Sequence, residues 1–152
     1  GNTDWANIGN INNVNGPTEI AIGYEAGNIS QGDYAVAIGW SAGGNTQGTE
    51  AVAIGDEAGK TTQGQFAVAV GYGAGSDTQG EAAVAVGYGA GRTAQATNSI
   101  ILNATGANLN QTTANTFTVK PVRGDSTANL TGAGFKGVYY NPTTGEFCYS
   151  TD

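Results

Sequence analysis

Catalysis needs groups that move protons, attack carbonyls or phosphates, or hold a metal, and this chain is short of all three. It has no His, a single Cys and only 11% charged residues. Without His, acid–base work near neutral pH loses its usual carrier. Cys148 has no second thiol to pair with in its own chain and no His to share a metal with. No Gly-x-Ser-x-Gly elbow, phosphate loop or Cys/His cluster appears. Asp56 and Glu57 beside Lys60 offer too few oxygens for Ca²⁺ and read as a solvated corner. The expectation is a protein that is not an enzyme and uses no metal or cofactor.

What remains is recognition chemistry. Tyr24, Trp40, Asp56, Tyr72 and Tyr88 follow one another at intervals of 16 residues, so a regular fold would set them in one column. Exposed aromatic rings are platforms for the apolar faces of sugars, which makes Tyr24, Trp40, Tyr72 and Tyr88 candidate glycan or receptor contacts. The competing reading is a structural ladder whose rings only cover a corner, and Asp56 interrupts the column. Arg123-Gly124-Asp125 spells an integrin-type tripeptide with nothing around it to present it as a loop tip. Asn28, Asn103, Asn110 and Asn129 each begin an Asn-x-Ser/Thr triplet, as expected of an Asn- and Thr-rich chain.

The net charge of -7 narrows the partners. Glu19, Glu25, Asp33, Glu50, Asp56, Glu57, Asp77 and Glu81 stand among the repeats against Lys60 and Arg92 alone. Nucleic acid and anionic membrane surfaces both require clustered Lys and Arg, so neither is an expected partner. No apolar run reaches the length of a membrane-spanning helix, and no charged segment opens a signal peptide, so direct membrane insertion is not expected.

The columns exist because the chain repeats. Ile20-Ala21-Ile22-Gly23, Ala35-Val36-Ala37-Ile38-Gly39, Ala51-Val52-Ala53-Ile54-Gly55, Ala67-Val68-Ala69-Val70-Gly71 and Ala83-Val84-Ala85-Val86-Gly87 recur every 16 residues. Each is followed by an Ala-Gly and then a Gln, most often as Thr-Gln-Gly. A strict short period marks a solenoid, whose units bury their apolar faces only against neighbours. With 26 glycines and a β-branched run in each unit, helix loses and short strands joined by glycine turns win. Gln31, Gln47, Gln63, Gln79 and Gln95 then form an amide ladder, with Ser30, Thr46, Thr62 and Thr78 beside it.

Alternation within the strand separates two apolar faces. The larger residues, Ile20, Ile22, Val36, Ile38, Val52, Ile54, Val68, Val70, Val84 and Val86, are expected to fill the roll core. The alanines, Ala35, Ala37, Ala51, Ala53, Ala67, Ala69, Ala83 and Ala85, are then expected to face a symmetry axis. There, small side chains let copies of the chain approach closely and bury a second layer.

The organisation read from these signals has three parts. Residues 1–17, with Trp5, form an N-terminal cap or degenerate rung. Residues 18–113 form the roll, with five regular units over 18–97 and a degenerate sixth over 98–113, where Asn103 replaces the corner glycine. Residues 114–152 form a C-terminal β module. In it, Gly137-Val138-Tyr139-Tyr140 and Glu146-Phe147-Cys148-Tyr149 read as a hairpin about Asn141-Pro142-Thr143-Thr144-Gly145.

The Ala-Val-Ala-Ile-Gly strand with its Ala-Gly and Gln-Gly partners resembles the head repeats of trimeric autotransporter adhesins of the YadA type. That likeness covers about half the chain and implies a left-handed parallel β-roll packed as a homotrimer. It departs in unit length, 16 residues here against about 14 there, and in lacking a heptad stalk. A second set of residues, Asn98-Ser99-Ile100-Ile101-Leu102-Asn103-Ala104-Thr105-Gly106, Val119-Lys120-Pro121-Val122-Arg123 and Tyr139-Tyr140-Asn141-Pro142-Thr143-Thr144-Gly145-Glu146, resembles fibre and spike proteins of tailed phages and large DNA viruses. In those proteins such a hairpin commonly precedes an endosialidase-type intramolecular chaperone that cuts itself off before a serine, which places a release junction near Asp152.

Together these readings give an all-β solenoid with 16-residue rungs, homotrimeric and followed by a small hairpin module. Its expected function is an extracellular structural and adhesive fibre, on a virion or a cell surface, that meets a host glycan or receptor. The head of a bacterial adhesin is the alternative. An ice- or surface-binding solenoid ranks below both, because the Thr column is short and flanked by Gln.

Overall fold

A computed structural model describes residues 19–122, 124 and 137–149. Among them there is no helix. The first compact unit ends at Pro121, and a second begins at Val122. The expected division near residue 113 therefore falls later, because the chain adds one more strand to the stack before leaving it. The N-terminal cap with Trp5, most of Arg123-Gly124-Asp125, Asn129 and the junction at Asp152 lie outside the described residues.

The first unit is a parallel β-solenoid. Its long sheet takes one strand from each turn: β1 (Ile20–Ile22), β2 (Val36–Ile38), β4 (Val52–Ile54), β6 (Val68–Val70), β8 (Val84–Val86), β9 (Ile100–Asn103) and β10 (Phe117–Lys120). Between them, β3 (Thr46–Gln47), β5 (Thr62–Gln63) and β7 (Thr78–Gln79) build a second, three-stranded sheet. Register follows the repeat without slip: Ala37 pairs with Ala53, Ala53 with Ala69, and Ala69 with Ala85. With strands about 4.8 Å apart, the seven strands span about 29 Å.

The alanines, not the larger residues, fill the coil. Ala35, Ala37, Ala51, Ala53, Ala67, Ala69, Ala83 and Ala85 are all fully buried within the single chain, so none of them is left to face a partner. Ala42, Ala58, Ala74 and Ala90 share one continuous buried cluster with Ala37, Ala53, Ala69 and Ala85. Conversely, Val36, Ile38, Val52, Val68, Val70, Val84 and Ile22 are half-buried, while Ile20, Ile54 and Val86 are exposed. The expected assignment of Val and Ile to the core and Ala to the interface is thus inverted.

The physical reason is the width of the coil. A 16-residue turn encloses little more than one side-chain layer from each wall, and that space is already used. Gln47 reaches across it from β3, its amide nitrogen donating to the carbonyls of Val36 at 2.9 Å and Ala51 at 3.3 Å. Gln63, Gln79 and Gln95 repeat the same crossing. Any residue larger than Ala opposite them would overlap, so the branched side chains turn outward. Where the regular coil ends, the constraint relaxes: Ile101 takes the alanine position fully buried, with Leu109 packed against the same cluster.

Corners are set by backbone geometry that few residues tolerate. Gly39, Gly55 and Gly71 have φ of 130°, 124° and 122°, and a Cβ on Gly55 would lie 2.8 Å from the carbonyl oxygen of Gly71 in the next turn. Glycine is required there both by dihedral and by space. At Gly87 the next turn presents Asn103, whose side-chain amide donates to the carbonyls of Tyr88 and Ala107 at 2.7 and 2.6 Å. That buried Asn replaces the glycine corner by side-chain bonds and closes the regular run.

The second unit contains the expected hairpin, β11 (Val138–Asn141) antiparallel to β12 (Glu146–Tyr149). The Asn141 side chain accepts from the amide of Thr143 at 2.9 Å, and Gly145 donates to the Asn141 carbonyl at 2.8 Å, which fixes the turn. Opposed pairs share a face, so Val138, Tyr140, Phe147 and Tyr149 stand together, with Tyr140 and Phe147 ring centroids 5.1 Å apart.

Candidate functional site

The corner after the first glycine of each turn carries a column of exposed aromatic and charged side chains. Because the turns are in register, Trp40, Asp56, Tyr72 and Tyr88 form the expected column, with Tyr24 one turn below. All are exposed. The next residue in the chain differs from turn to turn: Glu25, Ser41, Glu57, Gly73 and Gly89, the first three with φ between 51° and 56°. Non-glycine residues in this left-handed region cost about 1 kcal/mol each, and the amides of Ser41 and Glu57 donate to the carbonyls of Tyr24 and Trp40 in the preceding turn, both at 2.8 Å.

These side chains form a linked set. Lys60 lies over the Trp40 ring at 5.1 Å from its centroid and pairs with Glu57 at 2.6 Å. The other carboxylate oxygen of Glu57 meets Arg92 at 3.5 Å, across two turns. The missing side chain at Gly73 makes that reach possible, since a Cβ there would lie 3.0 Å from the Arg92 guanidinium. Arg92 in turn lies over Tyr72, 5.7 Å from the ring centroid, and Tyr72 stacks on Tyr88 at 5.2 Å with 12° between ring planes. Glu25 accepts from the hydroxyl of Ser41 at 3.2 Å. Sequence reasoning placed the aromatic column but missed Arg92 as its tie. The signal was present as Lys60 and Arg92 at equal positions two turns apart, with glutamate at Glu57.

The arrangement decides how each ring can be used. Tyr72 and Tyr88 turn faces toward each other along the stack, which uses those faces for ring–ring attraction. Trp40 has one face under the Lys60 ammonium. Within this column Tyr24, 69% exposed, and Trp40, 46% exposed, are the most exposed rings, while Tyr34, 57% exposed, stands elsewhere on the solenoid. The Asp56–Glu57–Lys60 corner is an ion-paired corner: Glu57 spends both oxygens on Lys60 and Arg92.

Replacing Glu57 by Gln tests this linkage. The side chain of Glu57 is 18% exposed and those of Lys60 and Arg92 are 34% and 27% exposed, so screening keeps the effect modest. We expect E57Q to lose about 1 kcal/mol of unfolding free energy, with the deficit shrinking at high salt. A chemical-denaturation series at two ionic strengths reads it, and a stability unchanged at low salt would show the linkage to be idle.

The other columns are placed as follows. Thr46, Thr62 and Thr78 are exposed on the three-stranded sheet, backed by the buried Gln ladder. Gln63 donates to Gln79 at 3.1 Å and Gln79 to Gln95 at 3.2 Å, so the expected amide ladder forms in those turns. Of the glycosylation triplets, Asn28 and Asn110 are exposed, whereas Asn103 is buried and committed to the corner.

Fold and surface together define a β-solenoid repeat protein. Comparison with models of protein families, with curated proteins and with solved structures finds no match.

Proposed function

We propose that this chain is a structural and adhesive segment of an extracellular homotrimeric fibre, of the kind that viruses and phages project toward a host. What carries the reading is the solenoid itself: a stack of near-identical turns, tied by parallel backbone ladders, that displays one column of varied aromatic and charged side chains at a fixed pitch. The residue after the corner glycine varies through Tyr24, Trp40, Asp56, Tyr72 and Tyr88, while the inward Ala37, Ala53, Ala69 and Ala85 beneath it do not. The strand and corner-glycine likeness to adhesin heads and the likeness of residues 98–146 to fibre proteins support the same class. On this reading Tyr24 and Trp40 are the glycan platform, and the chain acts by presentation rather than by catalysis. The same strand likeness favours, as a second placement, the head of a bacterial surface adhesin; a coiled-coil stalk and outer-membrane barrel encoded downstream would decide for it.

A glycan array with the full chain tests the adhesive part. Binding to at least one surface glycan is expected, with at least a tenfold loss in the Tyr24→Ala/Trp40→Ala double variant. No bound glycan, or binding indifferent to that variant, would remove the aromatic corner from the reading.

A further inference from the structure

Two residues before the long-sheet strand of each regular turn, the backbone is left-handed. Tyr34, Glu50, Phe66, Ala82 and Asn98 stand there in successive turns, all at φ between 52° and 61°. That region favours glycine or Asn and is unusual for a bulky side chain. At Gly43, Gly59, Gly75 and Gly91, with φ of 55–57°, the chain meets the same demand with glycine. Tyr34 and Phe66 thus hold aromatic side chains where they cost stability, and such outliers gather at functional sites. Both rings are open to solvent, Tyr34 57% and Phe66 46% exposed. Neither stacks on another ring or lies under a cation among the described residues, in contrast to Tyr72, Tyr88 and Trp40.

Register sets the spacing of the two rings. They leave equivalent backbone positions two turns apart, about 9.6 Å along the stack, with Glu50 at the same position in the turn between. The amide of Glu50 donates to the Asp33 carbonyl at 2.8 Å and that of Phe66 to the Thr49 carbonyl at 3.1 Å, which ties the three turns together. A group midway between rings at that spacing is about 4.8 Å from each, inside the reach of about 6 Å over which an aromatic face attracts a cation. Glu50 is exposed and makes no ion pair among the described residues. Lys60 and Arg92, the only cationic side chains of residues 19–116, are both engaged with Glu57 at the other corner. Two rings about one carboxylate, in a field without a competing cation, suit a group that is positive, rounded and weakly hydrated.

We propose that the Tyr34–Glu50–Phe66 corner binds a small quaternary ammonium ion of the choline class. The two rings take its methylated faces, and the Glu50 carboxylate balances its charge. A neutral ligand would use the rings alone and leave Glu50 without a counterion, and an anion would be repelled. The site shares no residue with Tyr24 and Trp40, so its outcome and that of the glycan array are separable.

The test titrates choline chloride into the full chain at low ionic strength and follows the choline methyl resonance by saturation-transfer NMR. Saturable transfer is expected, with binding at least about fivefold weaker in Tyr34→Ala/Phe66→Ala and in Glu50→Gln. Both variants should keep the wild-type circular dichroism, because Ala82 already occupies the equivalent position at φ 52° and Glu50 is exposed. The neutral isostere of choline, with a tert-butyl group in place of the trimethylammonium, should bind at least about fivefold more weakly than choline. Phosphocholine separates a free cation from a headgroup: its phosphate would meet Asp33 and Glu50, so it should bind more weakly than choline. Absence of saturable transfer to choline, equal binding of the neutral isostere, tighter binding of phosphocholine, or binding unchanged in Tyr34→Ala/Phe66→Ala would each overturn the proposal.

Discussion

Leucine placed at Ala69 is expected to unfold the solenoid locally, whereas leucine at Val68, the preceding residue of the same strand, is expected to be accepted. Ala69 is fully buried with Ala74 in the same inward cluster. Gln63 and Gln79 cross the same space to reach the backbone of the opposite wall. Three added carbons have no cavity to enter and no flexible neighbour to displace except a hydrogen-bonded amide. Overpacking of a close-packed core costs about 1–3 kcal/mol, and displacing the Gln bonds adds about 1–3 more. We therefore expect A69L to lose about 2–6 kcal/mol and V68L less than about 1 kcal/mol, read as paired denaturation midpoints of the full chain. The opposite order would restore the assignment of Val and Ile to the interior.

A carboxylate at Gln63 is expected to be tolerated only in acid. The Gln63 amide nitrogen donates to the carbonyl oxygens of Val52 at 2.8 Å and Ala67 at 3.4 Å and to Gln79 Oε1 at 3.1 Å. An ionised Glu presents only acceptors to those three oxygens, in a site where Gln63 itself is 2% exposed. We expect Q63E to lose about 3–5 kcal/mol at pH 7, the range for an uncompensated buried charge. Burial and the facing carbonyls raise the folded-state pKa of such a carboxyl above its unfolded value of about 4.3. The sign follows from which state binds the proton more tightly. The variant is then most stable relative to wild type below the unfolded pKa, where the acid is protonated in both states and can donate one bond. It loses ground as pH rises from there through the folded pKa. The difference in melting temperature between Q63E and wild type should narrow on going from pH 7 to pH 4. Q63L, which cannot titrate, should show a deficit that stays constant. A pH-independent Q63E deficit would mean that the side chain escapes to solvent.

Both results depend on which wall of the strand is inside, and there the expectation that Val and Ile fill the core was inverted. Period, strand positions, corner glycines, amide ladder and hairpin were legible because each is written locally, in spacing or in a residue with one backbone use. Alternation at Val36-Ala37-Ile38 separates two faces but does not say which is enclosed. The rule that larger apolar residues go inside assumes a core wide enough to hold them. Here the decisive clues were a second alanine column, Ala42, Ala58, Ala74 and Ala90, and a Gln column that needs an acceptor wall. Only when the coil closes do these two columns and Ala37, Ala53, Ala69 and Ala85 meet in one narrow space. The candidate surface was legible to the same depth. Its aromatic column followed from the period, but the Arg92–Glu57 tie required knowing that turns two apart come within side-chain reach over Gly73.

The ladder bonds between turns have a mechanical consequence. The amide of Val36 donates to Ala51 at 2.9 Å, that of Val52 to Ala67 at 2.9 Å and that of Val68 to Ala83 at 2.8 Å, so the bonds point along the stack rather than across it. Tension applied at one end therefore loads successive turns in series, and each carries the whole force with only its own few bonds. A single stack would yield like a zip, from its weakest turn. Adding turns would therefore lengthen the stack without strengthening it against an axial pull.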